Sequence, residues 1–312
     1  MIRDTTAVVF EQPGHLSLRS VGLNEPGPAD CVVDIDWSGI STGTERLLWS
    51  GRMPAFPGLG YPLVPGYESV GRVRAAPAGS ALAEGQRVFV PGSLGFSEVR
   101  GLFGGAARRL VVAASRVLPI GDGAGEESVL LALAATACRA ARASGGPLPE
   151  LVVGNGVLGR LLRRVVIALG GDAPVVWESN PSRRDAGAID PSEDPRRDYR
   201  VICDVSGDAG LLDTLIARLA PAGSLVLAGF YGQPLAFSYP PAFQRELRLL
   251  VSAEWSPADL RLAEELVRDG RLSLAGLISH HASAHAAPEA YRQAFEDPDC
   301  LKMVLDWRSF DG

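Results

Sequence analysis

The sequence predicts an α/β protein of two domains: an antiparallel, barrel-like β domain at the N-terminus, followed by a doubly wound parallel sheet. Three observations predict this. At 312 residues the chain is long for a single hydrophobic core and comfortable for two. Its first third is crowded with short β-like runs, TAVVF, CVVDIDWSG, ESVGRVRA, QRVFVPG and ARRLVVAA, separated by Pro and Gly clusters. From about Glu126 the texture changes to helix and buried strand in alternation, which requires parallel strands joined by helical crossovers.

In chain order, SVLLALAATACRAARA reads as an amphipathic helix, the breaker GGPLPE ends it, and LVVG is a continuous apolar strand. GRLLRRVVIALGG is the next helix, APVVWE and YRVICDVSG are strands, and AGLLDTLIARLAPAG is a helix. SLVLAGF and LRLLVSAEW are strands, and PADLRLAEELVRDG is a helix. The polar, Pro-rich SNPSRRDAGAIDPSEDPRRD reads as a surface loop. After GLISHH come polar turns, one helix around AYRQAFED and a last strand LKMVLDW, too little for a domain of its own. The expected division is therefore residues 1–122 and 123–275, with a tail, 276–312, completing the first.

Composition narrows the function. Hydrophobic residues make up 46% and charged residues 21% with a formal net charge of −6, so the chain folds and lacks the clustered cations that nucleic-acid binding needs. The four cysteines lie far apart, which suggests neither a zinc ribbon nor a disulfide framework. No signal-peptide pattern and no apolar run of membrane-spanning length is present, and a cytoplasmic protein without an integral membrane segment is expected. The only lysine is Lys302, which excludes a P-loop; its place in an alternating segment predicts a solvated strand lysine.

LVVGNGVLGRLL sets Gly154, Gly156 and Gly159 in G-x-G-x-x-G spacing, after an apolar strand and before an amphipathic helix. Gly154 permits the turn, Gly156 lets backbone approach a pyrophosphate, Gly159 allows helix to pack on strand, and Val157 and Leu158 open the helix whose N–H groups face the anion. Glu178, closing APVVWE, stands where an acid binds the ribose hydroxyls of NAD; Arg183 and Arg184 nearby are the counter-argument for NADP. NAD is the expected cofactor.

VPGYESVGRV places Tyr67 and Glu68 between Gly66 and Gly71 in an otherwise apolar strand-like run. It resembles the Gly-His-Glu-x-x-Gly segment of the medium-chain dehydrogenase/reductase superfamily, with Tyr67 in place of a zinc-binding histidine. SGISTGTE likewise resembles the stretch carrying the first zinc-ligand cysteine, here Ser41, and no cysteine lies in the region of the structural zinc lobe. The resemblance implies a GroES-like catalytic domain, a Rossmann domain and a homodimer, with Phe237 to Phe243 as dimer contact. It also implies that GLISHH, with His281, runs near the cofactor, as do Ser206, Gly229 and Phe230. With Glu68 alone remaining of the usual ligands, no catalytic metal is expected.

Longer stretches, among them ISTGTERLLWSGRMPAFPGLGYPLVPGYES, LAGFYGQPLAFSYPPAF and AEWSPADL, are similar to a zinc-independent branch of that superfamily from bacteriochlorophyll biosynthesis. That likeness covers essentially the whole chain. It implies NAD-dependent oxidation of the 3-(1-hydroxyethyl) side chain of a bacteriochlorophyllide or chlorophyllide, a tetrapyrrole, to 3-acetyl. A hydrophobic pigment would make peripheral association with the photosynthetic membrane useful.

Without a metal, hydrogen bonds must stabilise the negative charge that develops on the alcohol oxygen. The candidates are Ser41, Thr44, Tyr67 and Glu68 for catalysis, with Thr42, Glu45, Trp49, Phe56 and Tyr231 for the substrate. Tyr67 and Glu68 both remain open as base; Glu68 otherwise is a buried carboxylate paired with an arginine. Two other readings compete: a zinc-free, NADPH-dependent reductase of quinones or enones, and a non-catalytic protein that binds dinucleotide.

Overall fold

A computed structural model describes residues 3–185 and 187–310. The chain forms two units, one of Met1–Ala132 with Leu274–Gly312 and one of Leu133–Ser273. The linker turn Glu126–Leu130 buries Val129 and Leu130, which keeps it with the first unit.

In the first unit β1 (Asp4–Gln12) and β2 (His15–Gly22) make a hairpin in which Ala7 to Phe10 are buried on both faces. β3 (Asp30–Ile40) leads to the short helix α1 (Thr44–Trp49). β4 (Leu63–Val64), β5 (Ser69–Ala75), β6 (Arg87–Val90), β7 (Arg100–Gly101), β8 (Arg109–Ala113) and β9 (Leu118–Pro119) follow. β1 is bonded to β2 and β4, and β4 pairs parallel with β7. β3 pairs antiparallel with both β5 and β8, and β5 with β6. A core of Val, Ile, Leu and aromatic side chains lies between these strands.

The second unit begins within α2 (Leu131–Arg142) and continues through β10 (Leu151–Val153), α3 (Val157–Ala168), β11 (Val175–Trp177), β12 (Ala188–Ile189) and β13 (Tyr199–Asp204). α4 (Leu212–Ile216), β14 (Leu219–Leu227), α5 (Tyr239–Gln244), β15 (Arg248–Val251) and α6 (Pro257–Arg268) complete it. Its sheet has the order β12-β11-β10-β13-β14-β15, all parallel. Central strands are buried on both faces and read as unbroken apolar runs.

The sequence reading errs in two places here. The segment read as a helix from Ala209 to Gly223 is a 3-10 turn over Ala209–Leu211 and an α-helix over Leu212–Ile216 that ends there, because Leu219 already pairs with Tyr199 and Pro221 lies just beyond. The polar loop after Trp177 contributes β12, and it carries buried Asp194, which accepts from Trp177 Nε1 at 2.8 Å and Tyr199 Oη at 2.7 Å. A polar stretch hides a short strand when its buried acid is satisfied by aromatic donors.

The tail returns to the first unit as β16 (His280–Ser283), α7 (Ala287–Glu296) and β17 (Met303–Asp306). β17 pairs antiparallel with β3, Met303 opposite Ile40, and parallel with β16. Among the described residues no helix is long and apolar enough to cross a membrane.

Candidate active site

Tyr67 lies in the bend between β4 and β5, and Ser41 lies between the end of β3 and α1. The Tyr67 hydroxyl donates to Ser41 Oγ at 2.8 Å, and its ring meets Phe103 edge to face. Burial and then the charge of Glu68 push the phenol well above its ordinary pKa, against hydrogen bonds from Ser41 and Thr44 that pull it down. Tyr67 therefore stays protonated at neutral pH, with its proton directed at Ser41 Oγ as the bonding partner.

Lys302 corrects the sequence reading. It is 2% exposed, although the alternation of its segment pointed it at solvent. Its ammonium donates to Glu68 Oε1 at 3.0 Å, to Glu68 Oε2 at 2.7 Å and to the Ile40 carbonyl at 3.1 Å. The fully buried Glu68 is thus paired, with lysine and not arginine. A buried ammonium is tolerated only where an opposite charge and a carbonyl satisfy it, and periodicity is blind to such a partner on another strand. Gly39 makes room for the carboxylate, since a Cβ there would stand 2.2 Å from Glu68 Oε2.

Glu45, expected to face substrate, is instead fully buried. Its Oε1 accepts from the Ser41 N–H at 2.9 Å and its Oε2 from the Tyr291 hydroxyl at 2.7 Å. Burial raises its pKa to about 7, helped by the nearby Glu68 and opposed by the Ser41 amide, Tyr291 and Lys302. Glu45 acts by holding the Ser41 backbone. Trp49 stacks at a tilt against Phe295 and packs on the core, whereas Phe56 and the half-buried Thr42 and Thr44 reach the surface.

A zinc ion does not fit this donor set. Tyr67 and Ser41, which the resemblance sets at the places of a zinc-ligand histidine and cysteine, present two hydroxyls bonded to each other, and both oxygens of Glu68 face an ammonium. Among the described residues no three His, Cys, Asp or Glu side chains gather as a ligand group.

In the second unit the expected cofactor residues meet at the carboxyl ends of four adjacent parallel strands. Gly154, Gly156, Val157, Leu158 and Gly159 join β10 to α3, Glu178 follows β11, Ser206 follows β13, and Gly229 and Phe230 follow β14. Gly154 has φ +101°, and a Cβ on Gly159 would fall 1.8 Å from the Gly154 carbonyl oxygen, so the turn and the helix approach both require glycine. Ligands of such sheets bind at this edge.

Glu178 Oε2 accepts from the Asn155 N–H at 3.0 Å and Oε1 from the Asn180 N–H at 2.9 Å, which holds the carboxylate beside the glycine loop. Arg184 is engaged by its own loop, with the Glu178 carbonyl at 2.8 Å and Asp190 at 2.5 Å. Tyr231, expected at the substrate, turns its hydroxyl to the buried Asp204 carboxylate at 2.8 Å. Phe230 is 51% exposed. In the first unit His281 is bonded to Glu126 at 2.8 Å.

The alcohol dehydrogenase GroES-like domain model matches residues 27–122. The 2-desacetyl-2-hydroxyethyl bacteriochlorophyllide A dehydrogenase of Rhodobacter capsulatus is 54% identical, covering 98% of this chain and 99% of that protein. The protein of the same description from Cereibacter sphaeroides is 52% identical over 98% of this chain and 99% of its own length. The chain belongs to this bacteriochlorophyllide dehydrogenase family, within the medium-chain dehydrogenase/reductase superfamily. It is an oxidoreductase acting on CH–OH donors.

Solved structures confirm the fold of the family member. A short-chain alcohol dehydrogenase of Escherichia coli CFT073, complexed with NADH, matches with TM-score 0.83 at 21% identity over 98% of this chain and 100% of that one. A putative zinc-binding dehydrogenase of Sinorhizobium meliloti, bound to NADP, matches with TM-score 0.81 at 21% identity over 98% and 100%. Sequence reasoning missed four partners, Lys302 on Glu68 and Tyr291 on Glu45 in the first unit, and Asn155 on Glu178 and Asp204 on Tyr231 in the second. The solitary lysine was the one available signal, since a chain otherwise cationic through arginine alone keeps it for a particular place.

Proposed function

We propose that the protein oxidises the 3-(1-hydroxyethyl) group of a bacteriochlorophyllide or related chlorophyllide to 3-acetyl with NAD, in bacteriochlorophyll biosynthesis and without a catalytic metal. One observation carries the reading: in a chain of this family the Tyr67 and Ser41 hydroxyls, bonded at 2.8 Å, stand in place of metal-ligand side chains. When bound, the dinucleotide would supply the acceptor for the hydride that leaves the carbinol carbon. Tyr67, kept protonated and donating to Ser41 Oγ, accepts from the alcohol hydroxyl and orients it, and turns the proton it receives back on the alcohol oxygen as the relay moves. The alcohol proton leaves through the Tyr67 and Ser41 hydroxyls to water, each oxygen accepting one proton as it releases another. Glu45 fixes Ser41 from below.

The glycine loop and the N-terminus of α3 hold the pyrophosphate, and Glu178 accepts from the ribose hydroxyls with lone pairs its two N–H donors leave over. The commitment of Arg184 to Glu178 O and Asp190 supports NAD over NADP. Thr42, Thr44 and Phe56 are assigned to the pigment side. We place the protein in the cytoplasm, peripheral to the photosynthetic membrane, as a homodimer. The edge strand β15 supports that dimer, with Val251 78% exposed and Tyr239 and Phe243 of α5 also turned outward.

The test is turnover by chelator-treated protein with NAD and 3-(1-hydroxyethyl) bacteriochlorophyllide, followed by the pigment spectrum and by NADH formation. Conversion that survives chelation supports the reading. Tight NADH binding with no pigment turnover rejects it.

A further inference from the structure

We propose that Lys302 is a positioning residue of this reaction: it holds Glu68 in an ion pair, so that this carboxylate opposes the charge developing on the alcohol oxygen at Tyr67 less than an unpaired one would. The inference rests on the proposed oxidation.

Three observations carry it. Glu68 adjoins Tyr67 in the chain and is fully buried, so water does not screen its charge. Both of its oxygens are taken by one ammonium, at 3.0 and 2.7 Å, whose third bond goes to the Ile40 carbonyl at 3.1 Å. The other titratable groups bearing on this spot are Tyr67 itself, Glu45 from α1 and Tyr291 from α7, so Lys302 supplies its positive charge. A second carboxylate, Glu45, lies in the same cluster, which makes cancellation of the first the more necessary.

Oxidation of an alcohol passes negative charge through its oxygen before the carbonyl forms. A zinc ion would offset that charge directly, and hydroxyl donors do so only if nothing nearby opposes them. A paired Glu68 is also withdrawn from proton transfer: both oxygens accept from an ammonium, and neither reaches solvent. This decides the choice left open between Tyr67 and Glu68 against the carboxylate.

The experiment compares wild type, Lys302→Met, Lys302→Arg and Glu68→Gln/Lys302→Met for folding, NADH binding and kcat from about pH 6 to about pH 9. In Lys302→Met the buried carboxylate loses its partner and stands uncompensated wherever it is charged. Its kcat is expected to fall roughly 100-fold and to decline further as pH rises. The double variant removes the charge and should return to within about tenfold of wild type with no such decline. Lys302→Arg should keep the profile of wild type.

Should Lys302→Met fail to fold, the double variant against wild type decides. A double variant that folds and binds NADH but stays inactive overturns the inference, because one of the two charges then acts directly. Wild-type protein that binds NADH without oxidising the pigment fails the proposed function instead. For that case a second readout stands apart from turnover: with a single lysine in the chain, ¹⁵N-lysine labelling yields one ammonium resonance. Glu68→Gln must displace it, and an unmoved resonance refutes the pair in solution.

Discussion

The Tyr291 hydroxyl donates to Glu45 Oε2 at 2.7 Å, joining residues 246 positions apart. The tail thereby closes under α1, and the same carboxylate holds the Ser41 amide with its other oxygen. Two tail residues, Tyr291 and Lys302, thus each satisfy one buried acid of the site.

Glu45 makes stability depend on pH. Burial first of all raises its folded-state pKa to about 7, from an ordinary value of 4.5. The folded state therefore binds the proton more tightly than the unfolded chain. This contribution is present in full below the ordinary carboxylate pKa and is lost as pH rises to about 7. Glu45→Gln keeps the bond from the Ser41 N–H, reverses the one to the Tyr291 hydroxyl, and removes the titration. Urea denaturation across this range should show the wild-type stability, relative to Glu45→Gln, falling by up to roughly 3 kcal/mol and then levelling off. A difference independent of pH would show that Glu45 is ionised throughout.

Tyr67→Phe removes the hydroxyl donor while keeping the ring against Phe103. With pigment substrate kcat should drop by roughly 10²- to 10³-fold, and NADH affinity, read by fluorescence titration, should not change. Ser41→Ala should lower kcat by about 10-fold or more by breaking the proton path. Loss of NADH binding in either variant would place these residues at the cofactor instead.

Glu178→Ser should weaken NAD by roughly 10- to 100-fold in KM, the worth of charged hydrogen bonds to the ribose, while NADP use improves. Steady-state kinetics with both cofactors checks this. Equal loss for both cofactors would mean that Glu178 serves the loop alone, through Asn155 and Asn180.

Val251→Lys sets a charge in the most exposed apolar position of β15. If this edge pairs with a second copy, light scattering should find a dimer in wild type and a monomer in the variant. A dimer in both would move the interface elsewhere.

Much of this protein is legible along the chain. The glycine spacing of LVVGNGVLGRLL, set between a strand and a helix, needs only local geometry, and Gly154 at φ +101° and Gly159 against the Gly154 carbonyl meet that requirement. The helix read through Ala209 to Gly223 was overextended because its apolar spacing continues past the point where Leu219 enters the sheet. Lys302 was misread for a related reason: alternation assigns a face, and a face is assigned to solvent unless a compensating charge is known to wait there.

The sequence by itself determined the α/β architecture and the glycine loop, because these depend on residue identity and short-range spacing. Only the tertiary structure decided the charge state of the site. Glu45 and Glu68 acquire their partners from residues 291 and 302, and in a low-dielectric interior the nearest opposite charge or donor governs whether a carboxylate is a base, a strut or a neutral pair.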